Sequence, residues 1–315
     1  MRSFVARYPV LVFVGLALAV QFAMIGFVWL TVADGLYVSD VPLAHNVFRL
    51  RVFVPILLVT YITWYLEGME GIKNLYGTYL NWRVPAKWYA LAVSWKFIMA
   101  GIAIILAWLI WDVAPDWVIQ GNSWNLFTHM PFIIGIALVE ETSWIRFAIT
   151  RMQMRFSAFW SAMIVGNCWA TWYLPMNLID VGTPLGVPDI VFHSGVVSLT
   201  VLLLWVYNTT RSGTVLLVMQ IVSNMAFFWV PVLPHEGLPD YRIIAYAWVF
   251  VAVAVMLILV FGPEHLSRRK RVRWDEGLNL GSTSRMGSHN NGDPDLRSIR
   301  RRRSIVRKRR AMRSQ

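Results

Sequence analysis

The sequence predicts an all-α, polytopic membrane protein with about eight transmembrane helices, and three observations point to that class. Hydrophobic residues make up 57% and charged residues 15% of the 315-residue chain, which leaves too few polar groups to cover a soluble globule of this length. Apolar stretches of about twenty residues, the length that crosses roughly 30 Å of hydrocarbon, recur along the chain. Lys and Arg gather in alternate loops, as the positive-inside rule requires.

The first stretch, Pro9 to Val32, follows Arg2 and Arg7 and stays apolar past Ala17-Leu18-Ala19 to Leu30, so it reads as an uncleaved signal anchor. The others run from Phe48 to Leu66, Trp88 to Trp111, Phe127 to Phe147, Phe156 to Leu174, Asp189 to Tyr207, Gly213 to Val230 and Tyr241 to Phe261. Lys73, Arg83 and Lys87 lie between the second and third, Arg146, Arg151 and Arg155 between the fourth and fifth, and Arg211 between the sixth and seventh. The opposite loops carry mostly acids, with Arg49, Arg51 and Arg242 as contrary votes. This count predicts a multi-pass protein of the plasma membrane with both termini cytoplasmic.

The formal net charge of +12 divides unevenly. Residues 266–315 hold 16 Lys and Arg against 4 Asp and Glu, so of the chain's 29 and 17 the other 265 residues keep 13 of each. The sequence therefore divides into a transmembrane domain, 1–265, and a basic, largely disordered cytoplasmic tail, 266–315, with a Gly-, Ser- and Asn-rich linker from Gly277 to Gly292. Arg300, Arg301, Arg302, Arg303, Arg307, Lys308, Arg309 and Arg310 form a polybasic cluster suited to anionic lipid headgroups. Nucleic acid is a poorer fit for a cluster tethered to the membrane. The single cysteine, Cys168, excludes an intrachain disulfide and a cysteine metal cluster. No histidine stands four residues from another histidine, so no metal or other cofactor is expected.

Carboxylates within a membrane helix are costly and usually serve a purpose. Glu140 and Glu141 lie past the middle of the fourth stretch, toward its cytoplasmic end, pointing about 100° apart if helical. One can face a cavity while the other takes a structural partner; the alternative is an interfacial pair that balances Arg146, Arg151 and Arg155. Lys96 in the third stretch can pair with one of them. His193, near the start of the sixth stretch, reads as a hydrogen-bonded helix residue or as a ligand.

Several passages together resemble the CPBP family of CAAX-processing and bacteriocin-processing intramembrane proteases. They are Glu140-Glu141, Arg151-Met152-Gln153, Arg155-Phe156, Trp160-Ser161-Ala162 and Trp169-Ala170-Thr171-Trp172-Tyr173-Leu174-Pro175. Glu67 to Leu75, Trp82 to Pro85, Trp205 to Thr209 and Gly213 to Leu216 extend the similarity over about residues 67–229. The resemblance implies a glutamate of an EExxxR motif and a histidine of an F/WxxxH motif that activate water, with an HxxxN motif stabilising the oxyanion.

This chain departs from that pattern after the glutamates. The arginine position of the first motif holds Ile145, and Arg146 lies five residues past Glu141, a spacing that pairs only across a π-bulge. The histidine of the second motif is replaced by Tyr173, a poor base at neutral pH. The third motif falls within Val218 to Phe227, which contains no histidine, and Ser223 and Asn224 are taken as its polar groups. Glu140, Glu141, Tyr173, Ser223 and Asn224 are the candidate site. The expectation is a catalytically degenerate relative that binds a membrane-protein or lipid partner as scaffold or regulator. The alternatives are a working glutamate-dependent endopeptidase and, more weakly, a lipid or small-molecule transporter.

Overall fold

The computed structural model describes residues 2–32, 36–115, 117, 123–179, 188–230 and 241–276. The polybasic cluster and the Gly-rich linker lie outside these residues. Residues Met1–Trp274 form one compact unit, and Asp275–Gln315 are a second. Among the described residues all regular structure is helical.

Five helical segments are long and apolar enough to cross a membrane: Pro9–Thr31, Pro42–Leu80, Ala86–Trp111, Asp189–Thr210 and Tyr241–Phe261. We number the α-helices in chain order: α1 Arg2–Arg7, α2 Pro9–Thr31, α3 Pro42–Leu50, α4 Val54–Gly77, α5 Ala86–Trp111, α6 Ser123–Glu140, α7 Thr150–Met152, α8 Ala158–Tyr173, α9 Asp189–Thr210, α10 Gly213–Ala226 and α11 Tyr241–Phe261. Between α6 and α7 the backbone runs as a π-helix, Glu141–Ile149. Each of the eight apolar stretches read from the sequence carries a helix.

Local chemistry sets the ends of these helices. Proline stands in the first turn of α2, α3 and α4, where its missing N–H is not needed. Ser157 caps α8 by accepting from the Trp160 N–H at 3.3 Å, and Ser212 caps α10 by accepting from Val215 at 3.2 Å. At the C-terminal ends of α5 and α9, Asp112 and Arg211 adopt left-handed φ values of 55° and 58°.

Helix α4 does not run straight. Gly68 takes φ 61° and ψ −149°, and the Thr60 hydroxyl meets the Tyr76 hydroxyl at 2.6 Å. In a straight helix these residues would stand about 24 Å apart, so the chain folds back at Gly68, a turn that glycine makes without strain. Gly71 lets the two arms close, since a Cβ there would lie 2.6 Å from the Glu67 Cβ and 2.9 Å from the Thr63 methyl.

Packing runs α8 on α9, α9 on α11, α11 on α5, α5 on α10 and α10 on α6, with α2 covering α3, α4 and α8. Within a membrane these contacts depend on close approach more than on the hydrophobic effect. Gly166 makes the α8–α9 approach possible, because a Cβ there would stand 3.1 Å from the Val197 Cα and 3.0 Å from the Thr200 hydroxyl oxygen. Gly166→Ala is expected to cost about 1–3 kcal/mol through overpacking. Thermal unfolding in detergent checks this, and an unchanged midpoint contradicts it.

The π-helix lies at the centre of this arrangement, against α4, α6, α8, α9 and α10. All nine of its residues are buried.

Candidate functional site

Glu140 is the last residue of α6, and its side chain is 4% exposed. Both carboxylate oxygens are engaged. The Tyr173 phenol donates to Oε1 at 2.6 Å, and the Gln220 amide donates to Oε2 at 2.6 Å. These short hydrogen bonds join α6, α8 and α10 at one point.

Tyr173 arrives there because it closes α8, whose register is fixed by the Ser157 cap and the Gly166 contact. Gln220 arrives because the start of α10 is tied to the chain after α4. The Gly213 N–H donates to the Thr78 hydroxyl at 3.0 Å, Thr214 donates to the Tyr79 carbonyl at 2.7 Å, and Ser212 donates to the Asn81 carbonyl at 2.5 Å. Gln220 lies seven residues, about two turns, past Gly213 and so faces the same side.

Two buried cations act on Glu140. Arg51 and Lys96 lie near its carboxylate, and the two side chains are 4% and 3% exposed. The Arg51 guanidinium lies 4.5 Å from the Phe48 ring centroid and 5.2 Å from that of Trp172. The Lys96 ammonium lies 4.1 Å from Phe227 and 5.0 Å from Tyr246, with Trp95 and Phe250 completing an aromatic box. Lys96 forms no ion pair with Glu140 or Glu141 among the described residues and acts on Glu140 through space. Arg51, a contrary vote in the charge count, is explained by its position: it belongs to this interior cluster and not to an exposed loop.

Glu141 opens the π-helix and is 1% exposed. Its two oxygens have no hydrogen-bond partner among the described residues. Its neighbour Thr142 meets the Tyr79 hydroxyl at 2.7 Å. Glu140 and Glu141 are thus both buried, at 4% and 1% exposed, and the reading of the glutamates as an interfacial pair does not describe them. The arginines it invoked have other partners. Arg146 donates to the Asn74 carbonyl from Nε at 3.2 Å and from Nη2 at 2.7 Å, and to the Asn74 side-chain oxygen. Arg151 pairs with Glu67 at 2.9 Å, and Arg155 donates to the Arg7 carbonyl at 3.2 Å. The π-helix supplies the wide turn that a Glu141–Arg146 pair needs, yet Arg146 turns to Asn74.

Of the five candidate residues, Glu140 and Tyr173 come together directly and Glu141 lies beside them. Ser223 is 2% exposed, and neither it nor Asn224 hydrogen-bonds to Glu140 among the described residues; the Asn224 amide nitrogen is buried without a partner. Gln220, Arg51 and Lys96 were missed. Gln220 precedes Asn224 by four residues, the spacing of the HxxxN motif that the resemblance implies, so that resemblance could have pointed to it. No local pattern marks Arg51.

His193 bonds the Asn167 side-chain oxygen at 2.8 Å from Nε2, as a helix residue with an ordinary partner does. Among the described residues no three His, Cys, Asp or Glu side chains gather as metal ligands.

The chain matches no protein-family model and no curated protein.

Proposed function

We propose that the protein is a CPBP-type, eight-span membrane protein of the plasma membrane with both termini cytoplasmic, degenerate in its catalytic motifs, that serves as scaffold or regulator for a membrane-protein or lipid partner. The observation that carries the reading is the state of Glu140. Tyr173 stands at the histidine position of the second motif, Gln220 stands four residues before Asn224, and each donates to Glu140 at 2.6 Å. A general base needs an oxygen directed at water and a partner that shuttles the proton. Here both oxygens are held by neutral donors that are poor bases. The glutamate acts as the keystone of a polar network, and the apolar helices place that network in lipid, where partners approach laterally. The polybasic cluster at Arg300–Arg303 and Arg307–Arg310 adds attraction to an anionic leaflet.

One observation favours a second reading, a working endopeptidase: the Glu141 oxygens are buried without partners. Purified protein in liposomes with a prenylated CAAX-type peptide separates the two. The scaffold reading expects no cleavage above that of a Glu140→Gln/Glu141→Gln variant. Cleavage by the wild type that this variant loses, at unchanged protein level, would overturn it.

A further inference from the structure

The segment after α11 folds back over the end of the π-helix. Pro263 and Glu264 supply carbonyls to the first N–H groups of α8, with Phe159 donating to Pro263 at 2.9 Å and Ala158 to Glu264 at 3.0 Å. Further along, a paired amide holds the strap: Gln153 donates to Asn208 at 3.2 Å and Asn208 donates back at 2.9 Å. Gln153 also donates to the Val272 carbonyl at 2.7 Å, Asn208 accepts from the Val272 N–H at 3.0 Å, and Asn208 donates to the His265 carbonyl at 2.8 Å.

The strap ends in an anchor. Trp274 is 2% exposed, and its indole N–H donates to both oxygens of Glu67, at 2.9 and 3.0 Å. Its ring lies 3.9 Å from the Arg151 guanidinium and 4.8 Å from that of Arg146, edge-on to Phe147. Its carbonyl accepts from the Asn74 amide at 2.9 Å, and Asn74 in turn accepts from Arg146. Trp274 therefore reaches the middle of the π-helix twice, through Phe147 and through the chain Trp274–Asn74–Arg146.

A π-helix of nine residues is unusual, since π geometry normally persists for a single turn and relaxes to α unless tertiary contacts hold it. Relaxing one wide turn shifts the register by one residue, a rotation of about 100°. Glu140 is pinned by Tyr173 and Gln220, so the rotation falls on Glu141 and the residues after it. We propose that the strap from Gly262 to Trp274 is an intramolecular clamp, in which Trp274 is a positioning residue that keeps the π register and thereby holds Glu141 in its buried place. This holds whether the site cleaves or binds, and so stands apart from the proposed function.

The test is labelling of the full-length protein in nanodiscs with a hydrophobic carbodiimide, mapped by peptide mass spectrometry, alongside thermal unfolding. Trp274→Ala is expected to raise labelling of Glu141 about tenfold, the change in open population that loss of one or two buried hydrogen bonds produces. Glu140 labelling stays at its wild-type level, and Trp274→Phe, which keeps the ring but not the N–H, falls between. Asn208→Ala loosens the strap through its lost bonds to Gln153, His265 and Val272, not at Trp274, and raises Glu141 labelling in the same direction. Unchanged Glu141 labelling in a folded Trp274→Ala protein, or in Asn208→Ala should the first not fold, overturns the proposal. Lost thermal stability with unchanged labelling overturns it too, because the strap is then only a structural cap.

Discussion

Replacing Glu140 by Ala is expected to destabilise the protein by about 3–5 kcal/mol, because it leaves buried positive charge uncompensated. Arg51 and Lys96 are 4% and 3% exposed, and Tyr173 and Gln220 would lose their common acceptor. Unfolding in a graded detergent titration reads the loss. Combining Glu140→Ala with Lys96→Met removes one stranded cation and is expected to recover part of it, so the double variant should be more stable than additivity predicts. Strict additivity would show that Lys96 and Glu140 do not act on one another.

The second large effect is expected at Trp144, where truncation to Ala should cost about 3–5 kcal/mol through the cavity it leaves. Trp144 is 1% exposed, stacks on Trp169 with centroids 6.0 Å apart and planes 13° apart, and leans on Phe13 at 5.1 Å. It thus joins the π-helix to α2 and α8. Trp144→Phe keeps part of the volume and should restore much of the stability. A loss for Trp144→Ala below about 0.5 kcal/mol, the range of an ordinary surface change, would contradict its place in the packing.

The two predictions concern different kinds of interaction. Glu140 is held by direction and charge, Trp144 by shape. Lipid satisfies an apolar side chain almost as well as protein does, so packing complementarity and polar bonds carry the specificity of a membrane interior. The polar contacts here also fix which helices neighbour each other, since the Glu140 network requires α6, α8 and α10 to meet.

Much of the architecture was legible in the sequence for a simple reason: lipid makes hydrophobicity and length nearly sufficient to find a helix. Tyr241 to Phe261 was read to the residue, and Trp88 to Trp111 within two. Glu140 and Glu141 were legible because a carboxylate inside an apolar run is costly enough to stand out. Tyr173 was singled out only through the family resemblance.

Tertiary structure alone decided the rest. Arg51 lies 89 residues before Glu140, and nothing near it in sequence distinguishes an interior arginine from a loop arginine that sets topology. The sequence placed Arg146 at a spacing that only a π turn reconciles with Glu141. The fold supplies that turn and gives the arginine to Asn74 instead, because α4 bends back at Gly68 and the strap behind Trp274 closes over it. The sequence by itself thus determined that this is a helical membrane protein with two glutamates inside an apolar stretch. Which side chains surround those glutamates depended on long-range contacts, whose partners are set by how helices pack and not by the pattern within any one of them.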